Sequence, residues 1–230
     1  MKIQHILVIA LGTGALLAQP PDVDMDGRVQ LFYEFSQPVA ITVVAPPASS
    51  ADIQDKAARQ SGIGVRFLGE IVSAPGWYYE LGGRGTSSSD FQLNGPVSPT
   101  LAVNLTSVKV SNSYWSAGGA YIYRHNETLS LGAHAEIRGE ALKAEGNLSW
   151  TGTSQAPVYM STTYVRPWVR LSADYTFQFG SFRPYIGADA GFAITRTEQT
   201  QYVSLAALDE RTLKAMAPRS TAAVYIGARF

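Results

Sequence analysis

The chain has 230 residues, with 18 basic and 18 acidic side chains that cancel at neutral pH. No net field therefore favours nucleic acid or an acidic substrate. Cysteine is absent, which excludes disulfide frameworks and thiolate metal sites. The 21 glycines, 12 tyrosines and 9 phenylalanines suit a β-rich chain with many reversals.

The first segment runs from Met1-Lys2 through an apolar stretch, Ile6 to Leu17, to Ala18-Gln19-Pro20-Pro21. A positive start, an apolar run shorter than the ~20 residues of a spanning helix, and a small residue before a polar break define a secretory signal. Residues 1–18 are read as that cleaved signal and 19–230 as the mature domain.

From there two-residue alternation dominates. Val29, Leu31, Tyr33 and Phe35 alternate with Gln30, Phe32 and Glu34. Ile63, Val65, Phe67 and Ile71 oppose Gly64, Arg66 and Glu70. Trp77 to Gly85 is a third strand and Tyr114 to Arg124 a fourth, with Leu101 to Val110 read as a protruding part of that fourth strand. From Leu129 to Leu142, Leu131, Ala133, Ala135 and Ile137 lie on one face and Ser130, His134, Glu136, Arg138 and Glu140 on the other. Val165 to Phe177, Phe182 to Ile194 and Thr221 to Phe230 repeat the pattern, with Arg166, Trp168, Arg170, Asp174, Arg183, Asp189 and Arg229 on the polar side. Side chains of a strand alternate between its faces, so each segment has one apolar and one polar face.

The connections alternate in length. Ser73 to Gly76, Arg124 to Thr128 and Gln178 to Ser181 are tight. Val44 to Arg59, Thr86 to Ser113, Lys143 to Ser161 and Thr195 to Pro218 are long and polar. That alternation predicts an all-β, closed, antiparallel up-and-down transmembrane barrel of eight strands, with short periplasmic turns and four long extracellular loops. Trp77, Tyr78, Tyr79, Tyr121, Tyr123, Phe177, Phe179, Phe182 and Phe230 gather beside the short turns, and Tyr114, Trp115, Tyr164 and Phe192 fall near the long loops. Two such bands are what a membrane with two interfaces demands.

The ending AAVYIGARF, with Val224, Ile226, Ala228 and a final Phe230, resembles the terminal signature of outer-membrane barrels. The mature chain resembles the small eight-stranded barrels of the OmpA-domain, OmpX and opacity-protein kind. The resemblance implies a bacterial outer-membrane location and a last strand read by the barrel-assembly machinery, with outer-membrane lipid and lipopolysaccharide as surroundings.

A lipocalin-like soluble barrel would carry the same alternation with the polar face outward. Charge type decides between them. Lysine is nearly absent from the strand patterns, with Lys56, Lys109, Lys143 and Lys214 read as lying in or beside the loops. The strand charges are acids and arginines, which suit enclosed bidentate pairing. The polar face is placed inside as a packed network of Glu34, Arg66, Glu70, Glu80, Arg84, His134, Glu136, Arg138, Glu140, Arg166, Arg170, Asp174, Arg183, Asp189 and Arg229.

His134 shares its face with Ser130, which invites a hydrolytic reading. The two are four residues apart on one strand, about 13 Å, beyond hydrogen-bond reach, so a partner such as Asp174 would have to come from a neighbouring strand. His5 and His125 lie elsewhere and nothing has metal-ligand spacing, so no metal or cofactor is expected. Ser204 to Ala217 has a capping serine and a loose apolar side, predicting a short helix in the last loop, either an ordered tip or a lid or partner surface. Arg59 and the loop lysines are scattered cations that could meet lipopolysaccharide phosphates. The expectation is a non-enzymatic barrel with a structural or surface-interaction role in adhesion or envelope integrity. A narrow pore for small polar solutes, and a lipid-modifying enzyme, are the alternatives.

Overall fold

The computed structural model describes residues 26–36, 41–45, 49–55, 60–91, 94–98, 101–150, 156–194 and 217–230. The signal segment, the Ser204 to Met216 part of the expected loop helix, Lys56, Arg59 and Lys214 lie outside them. In chain order the strands are β1 Gly27–Ser36, β2 Ile41–Ala45, β3 Ser49–Asp55, β4 Gln60–Glu70, β5 Trp77–Phe91, β6 Asn94–Ser98, β7 Leu101–Arg124, β8 Leu129–Trp150, β9 Ala156–Thr176, β10 Arg183–Ala193 and β11 Ser220–Arg229.

Eight of them form one antiparallel ring. The order runs β5, β4, β1, β11, β10, β9, β8, β7, and β5 pairs with β7 to close it. β1 is thus held by β11 on one side and β4 on the other, in unbroken registers such as Leu31 opposite Ile226 and Val65. Closure removes every strand edge within the ring. Among the described residues this is the closed, all-β, up-and-down barrel that the alternation predicts.

Burial follows the two-residue period. β1 reads buried at Arg28, Gln30, Phe32, Glu34 and Ser36 and exposed at Leu31, Tyr33 and Phe35. The outer wall carries Ile63, Val165 and Leu171, each more than 60% exposed, together with Val224, Ile226 and Ile137. The deeply buried side chains include Arg66, Arg138, Arg170 and Glu34. Polar groups face the bore and aliphatic groups face outward. A water-soluble barrel of this pattern would be inverted.

The tight turns show why those residues make them. Gly76 has φ 83° and Gly180 has φ 63°, a region open to glycine at little cost. Phe179 and Phe182 bridge across Gly180-Ser181. In the turn after β7 the Asn126 carboxamide oxygen accepts the N–H groups of Thr128 at 2.9 Å and Leu129 at 2.6 Å.

The structure corrects the loop boundaries. Thr86 to Ser113 and Lys143 to Ser161 were expected to be largely loop. Instead β5 continues to Phe91, and β7, β8 and β9 run 24, 22 and 21 residues, about twice the 10 of β1. Leu101 to Val110 is indeed the upper part of the strand that ends at Arg124. Lys109 and Lys143 are accordingly strand residues on the outer face of that extension rather than loop residues. Sequence reading also missed the β2–β3 hairpin, paired through Ile41 and Asp55, and β6, which lies along the upper end of β7.

Candidate functional site: the barrel interior

At the turn end, Asp26 precedes β1 and its carboxylate takes four partners. Arg28 Nε lies at 3.2 Å, the Tyr78 hydroxyl at 2.6 Å, Arg124 Nη2 at 2.6 Å and Arg229 Nε at 3.1 Å. Arg28 also reaches Asp174 Oδ2 at 3.4 Å and lies over the Tyr78 and Tyr185 rings. Leu68, Tyr78, Ala120 and Ile122 pack a small apolar layer nearby.

At mid-height Arg66 and Arg170 share Asp189 Oδ2, at 2.5 and 3.0 Å. Arg170 Nη2 donates to Glu80 Oε1, and the other Glu80 oxygen lies 2.7 Å from His134 Nδ1. His134 Nε2 is 2.8 Å from Ser172 Oγ. The Arg66 guanidinium lies 3.9 Å from the centre of the Phe32 ring, a cation–π contact.

Above this, Glu34 is the acceptor for Arg84 Nη1 at 3.1 Å, the Tyr114 hydroxyl at 2.7 Å and Arg138 Nη1 at 3.3 Å. Arg138 also donates from Nε to Glu136 at 2.6 Å, and it is sandwiched by the Tyr114 and Trp168 rings, each 4.2 Å away. At the mouth, Arg166 Nη2 contacts both oxygens of Glu140 at 2.7 Å, while Trp168 Nε1 and the Tyr164 hydroxyl donate to the same carboxylate at 3.0 Å. Arg166 also donates to the Pro218 carbonyl at 2.8 Å, so the chain returning to β11 leans into the mouth with Ala217 fully buried.

The balance is close. Among the described residues seven arginines are buried (28, 66, 84, 138, 166, 170 and 229), facing the six buried acids Glu34, Glu80, Glu136, Glu140, Asp174 and Asp189, with Asp26 as a seventh. Charges taken out of water persist only when paired and hydrogen-bonded, because the desolvation cost of a lone ion is several kcal/mol. The bore of an eight-stranded barrel is just wide enough for side chains to fill it.

Of the residues assigned to the interior from sequence, Glu34, Arg66, Glu80, Arg84, His134, Glu136, Arg138, Glu140, Arg166, Arg170, Asp174, Asp189 and Arg229 are brought together there. Two are not. Glu70 sits at the end of β4, partly exposed, where Oε1 accepts the Gly76 N–H at 2.9 Å and braces the turn. Arg183 has the inward parity but is the first residue of β10, at the rim, and is exposed. Sequence reading missed Arg28 and Asp26, and it placed Tyr78 and Tyr114 in the outer girdles although both are buried inside. Their parity was the available signal: Tyr78 shares its face with Glu80 and Arg84, and Arg28 with Gln30 and Glu34.

Val224 and Ile226 face outward and Phe230 is exposed, while the Phe230 N–H bonds the Gly27 carbonyl at 2.9 Å to seam the last strand to the first. Ala228 is half-buried on the same side.

The histidine does find a serine, although it is Ser172 rather than Ser130, and the acid on its other nitrogen is Glu80 rather than Asp174. The order of atoms matches a hydrolytic triad. The surroundings do not extend it: Glu80 is also bonded to Arg170, and the backbone N–H groups beside Ser172 point along the sheet to β8 and β10 instead of toward its hydroxyl. An acyl-transfer site needs free donors aimed at the developing oxyanion.

Fold and interior together define a small closed β-barrel with buried ionic side chains facing the bore and an apolar outer wall. No family model matches the chain, and no curated protein matches its sequence. Among solved structures it is similar to Ail, the attachment invasion locus protein of Yersinia pestis, in complex with the heparin analogue sucrose octasulfate, at 12% identity over 90% of this chain and 100% of that one, with a TM-score of 0.46. It is also similar to the outer membrane protein OprG from Pseudomonas aeruginosa (8% identity, 89% and 95% covered, TM-score 0.47) and to Neisserial surface protein A (8%, 89% and 95%, TM-score 0.40). At such identities function has to be argued from this chain's own residues.

Proposed function

We propose that this chain is a bacterial outer-membrane barrel with a non-enzymatic, structural or surface-interaction role. The observation that carries the reading is the inverted distribution of side chains. The wall exposes aliphatic and aromatic groups around the ring, while seven arginines and seven carboxylates are enclosed. An aliphatic wall in water would drive association through its exposed apolar area. In a bilayer it is the matching surface, and closure satisfies the backbone polar groups that lipid cannot. Trp77, Tyr79, Tyr121, Tyr123, Phe179 and Phe182, all exposed near the short turns, supply one interfacial band.

The bore acts as a plug that holds the barrel rigid. The surface role belongs to the upper β7–β8–β9 sheet, which continues beyond the height of the shorter strands. The signal at residues 1–18 directs export, and the outward Val224, Ile226 and Phe230 of the last strand are presented to the assembly machinery before closure.

The test is direct. The mature chain is refolded into detergent and into vesicles. Heat-modifiable migration, protease protection of the strands and negligible conductance are the expected results. A chain that remains monomeric and soluble without detergent overturns the membrane reading, and a steady open channel overturns the plug.

A further inference from the structure

Above the ring, β9 loses one of its two neighbours. β10 pairs with it only as far as Ala193 opposite Trp168, and the Ile194 N–H makes the last bond, to the Pro167 carbonyl at 2.9 Å. β9 itself continues to Ala156 with β8 alone beside it. Successive residues of a strand direct their backbone groups to opposite sides. The Phe177 N–H bonds Pro184 on the β10 side and the Thr176 N–H bonds Thr128 on the β8 side, so the odd residues of β9 face β10. Tyr159, Ser161, Thr163 and Val165 therefore hold out N–H and C=O groups that meet no strand among the described residues.

This edge lacks the usual protection. Natural edge strands are blunted with lysine, an inward charge or a bulge. Pro157 to Val165 carries no charge, and the β8–β9 register runs without a shift. The side chains of Tyr159, Ser161, Thr163 and Val165 are exposed on the outer face. Pro157 and Pro167, which flank the segment, are both odd residues, so both missing N–H groups fall on the open side.

The edge is also complementary to itself. A two-fold axis through Thr162 sets Tyr159 opposite Val165 and Ser161 opposite Thr163, and each rung recurs by symmetry. Aromatic with β-branched and hydroxyl with hydroxyl are favoured cross-strand pairs. The same axis sets Pro157 opposite Pro167, where neither chain has a donor to leave unpaired. An axis at Ser161 would instead set Pro157 opposite Val165 and deny the Val165 carbonyl its donor.

We propose that this edge pairs with the same edge of a second copy, residues 158–166 of each joining as antiparallel strands in one continuous sheet. The proposal rests on the membrane reading above and gives the surface role of the β7–β8–β9 extension a partner. Such an interface is isologous and closes on two copies. Antiparallel pairing reverses the strand, so β9 descends toward the turn end in one copy and ascends in the other. The second barrel stands inverted and belongs to a facing membrane. The contact joins two envelopes rather than two neighbours in one bilayer.

The experiment uses the full mature barrel in two populations of phosphatidylethanolamine–phosphatidylglycerol vesicles, one carrying a donor dye and the other an acceptor. Energy transfer between the populations is expected to rise with barrel density. It should fall roughly tenfold when both carry Thr163→Pro, because the pair then loses two backbone bonds. The Thr163 N–H lies on the open side, so this variant keeps the heat-modifiable migration of the intact barrel. The natural chain has no cysteine, so Ser161→Cys barrels in one population and Thr163→Cys barrels in the other should form a disulfide between vesicles on oxidation. Folded wild-type barrels that do not tether, that tether equally as Thr163→Pro, that tether to protein-free vesicles, or whose cysteine variants cross-link only when they share one membrane overturn the pairing alone. A wild-type chain that fails to insert overturns the membrane reading with it.

Discussion

The Arg138 guanidinium on β8 lies 3.3 Å from the Glu34 carboxylate on β1, and these two strands stand opposite one another in the eight-membered ring. A contact between facing walls means the bore is crossed by side chains at that height. Tyr114 and Arg84 converge on the same carboxylate, so three donors depend on one acceptor. Glu34→Ala leaves two buried guanidinium groups without that partner, and breaking buried pairs in this way costs about 3–5 kcal/mol. Urea titration in detergent micelles, followed by tryptophan fluorescence, is expected to show a loss of that size. A change under about 0.5 kcal/mol, the range of ordinary surface substitutions, would mean that these contacts contribute nothing.

Arg170 links three acids at mid-height, Glu80, Asp189 and, at 3.7 Å, Glu136. Arg170→Ala is expected to lower the unfolding temperature markedly while conductance in planar bilayers stays near zero, because Arg66 still occupies the same level and still meets Asp189. Glu136→Ala follows the same course with a smaller loss, since its closest partner, Arg138, retains Glu34. A stable barrel with a sustained large conductance in the wild type or in either variant contradicts a plug built from overlapping pairs.

Two glycines separate backbone from side-chain crowding. A Cβ on Gly118 would fall 2.1 Å from the Ala135 carbonyl oxygen, a backbone atom that cannot move without disturbing the β7–β8 ladder. A Cβ on Gly139 would meet the Trp115 indole at 2.1 Å, but that ring is half-exposed on the outer wall and is free to swing away. Gly118→Ala is therefore expected to cost about 1–3 kcal/mol as an overpacked site, and Gly139→Ala clearly less. Folding yields and urea midpoints of the two variants, measured side by side, decide it; equal losses would show that the Trp115 ring is as fixed as the ladder.

Much of the barrel could be read from residue order alone because lipid outside and charge inside force opposite chemistry onto alternate residues. Arg66 and Phe67 illustrate it: the apolar ring faces out, the guanidinium faces in, and one-residue slippage would exchange them. The upper halves of β7 to β9 were legible only in part. Once a strand leaves the bilayer neither face needs to be greasy, and Ser- and Thr-rich stretches such as Ser111 to Ser113 and Ser161 to Thr163 then look like loop. Tyr78 and Tyr114 were misassigned because an aromatic ring suits both an interfacial band and a stack over arginine; only their parity distinguishes the two. Asp26 had no pattern to betray it, since it precedes the first strand and acquires its partners from three distant parts of the chain.

Asp26 also carries a pH signature. It lies just outside β1. Burial favours its neutral form, but the charge of Arg28, the Tyr78 hydroxyl and Arg229 outweigh this and hold its carboxyl below the ordinary value of 3.8. A carboxylate whose folded-state pKa is depressed stabilises the fold at every pH above the unfolded-state value, and that contribution disappears as pH falls through the folded-state value. Asp26→Asn should therefore destabilise the barrel at pH 7 relative to wild type, through loss of the charge that Arg28, Arg124 and Arg229 share. The difference should shrink steadily once pH drops below about 4, as the wild-type carboxyl takes up its proton and the two proteins come to present a neutral group to the same three arginines. Urea midpoints collected from pH 7 to pH 2 trace the convergence. Parallel curves across that range would show that the Asp26 charge is not what ties the turn end of the bore together.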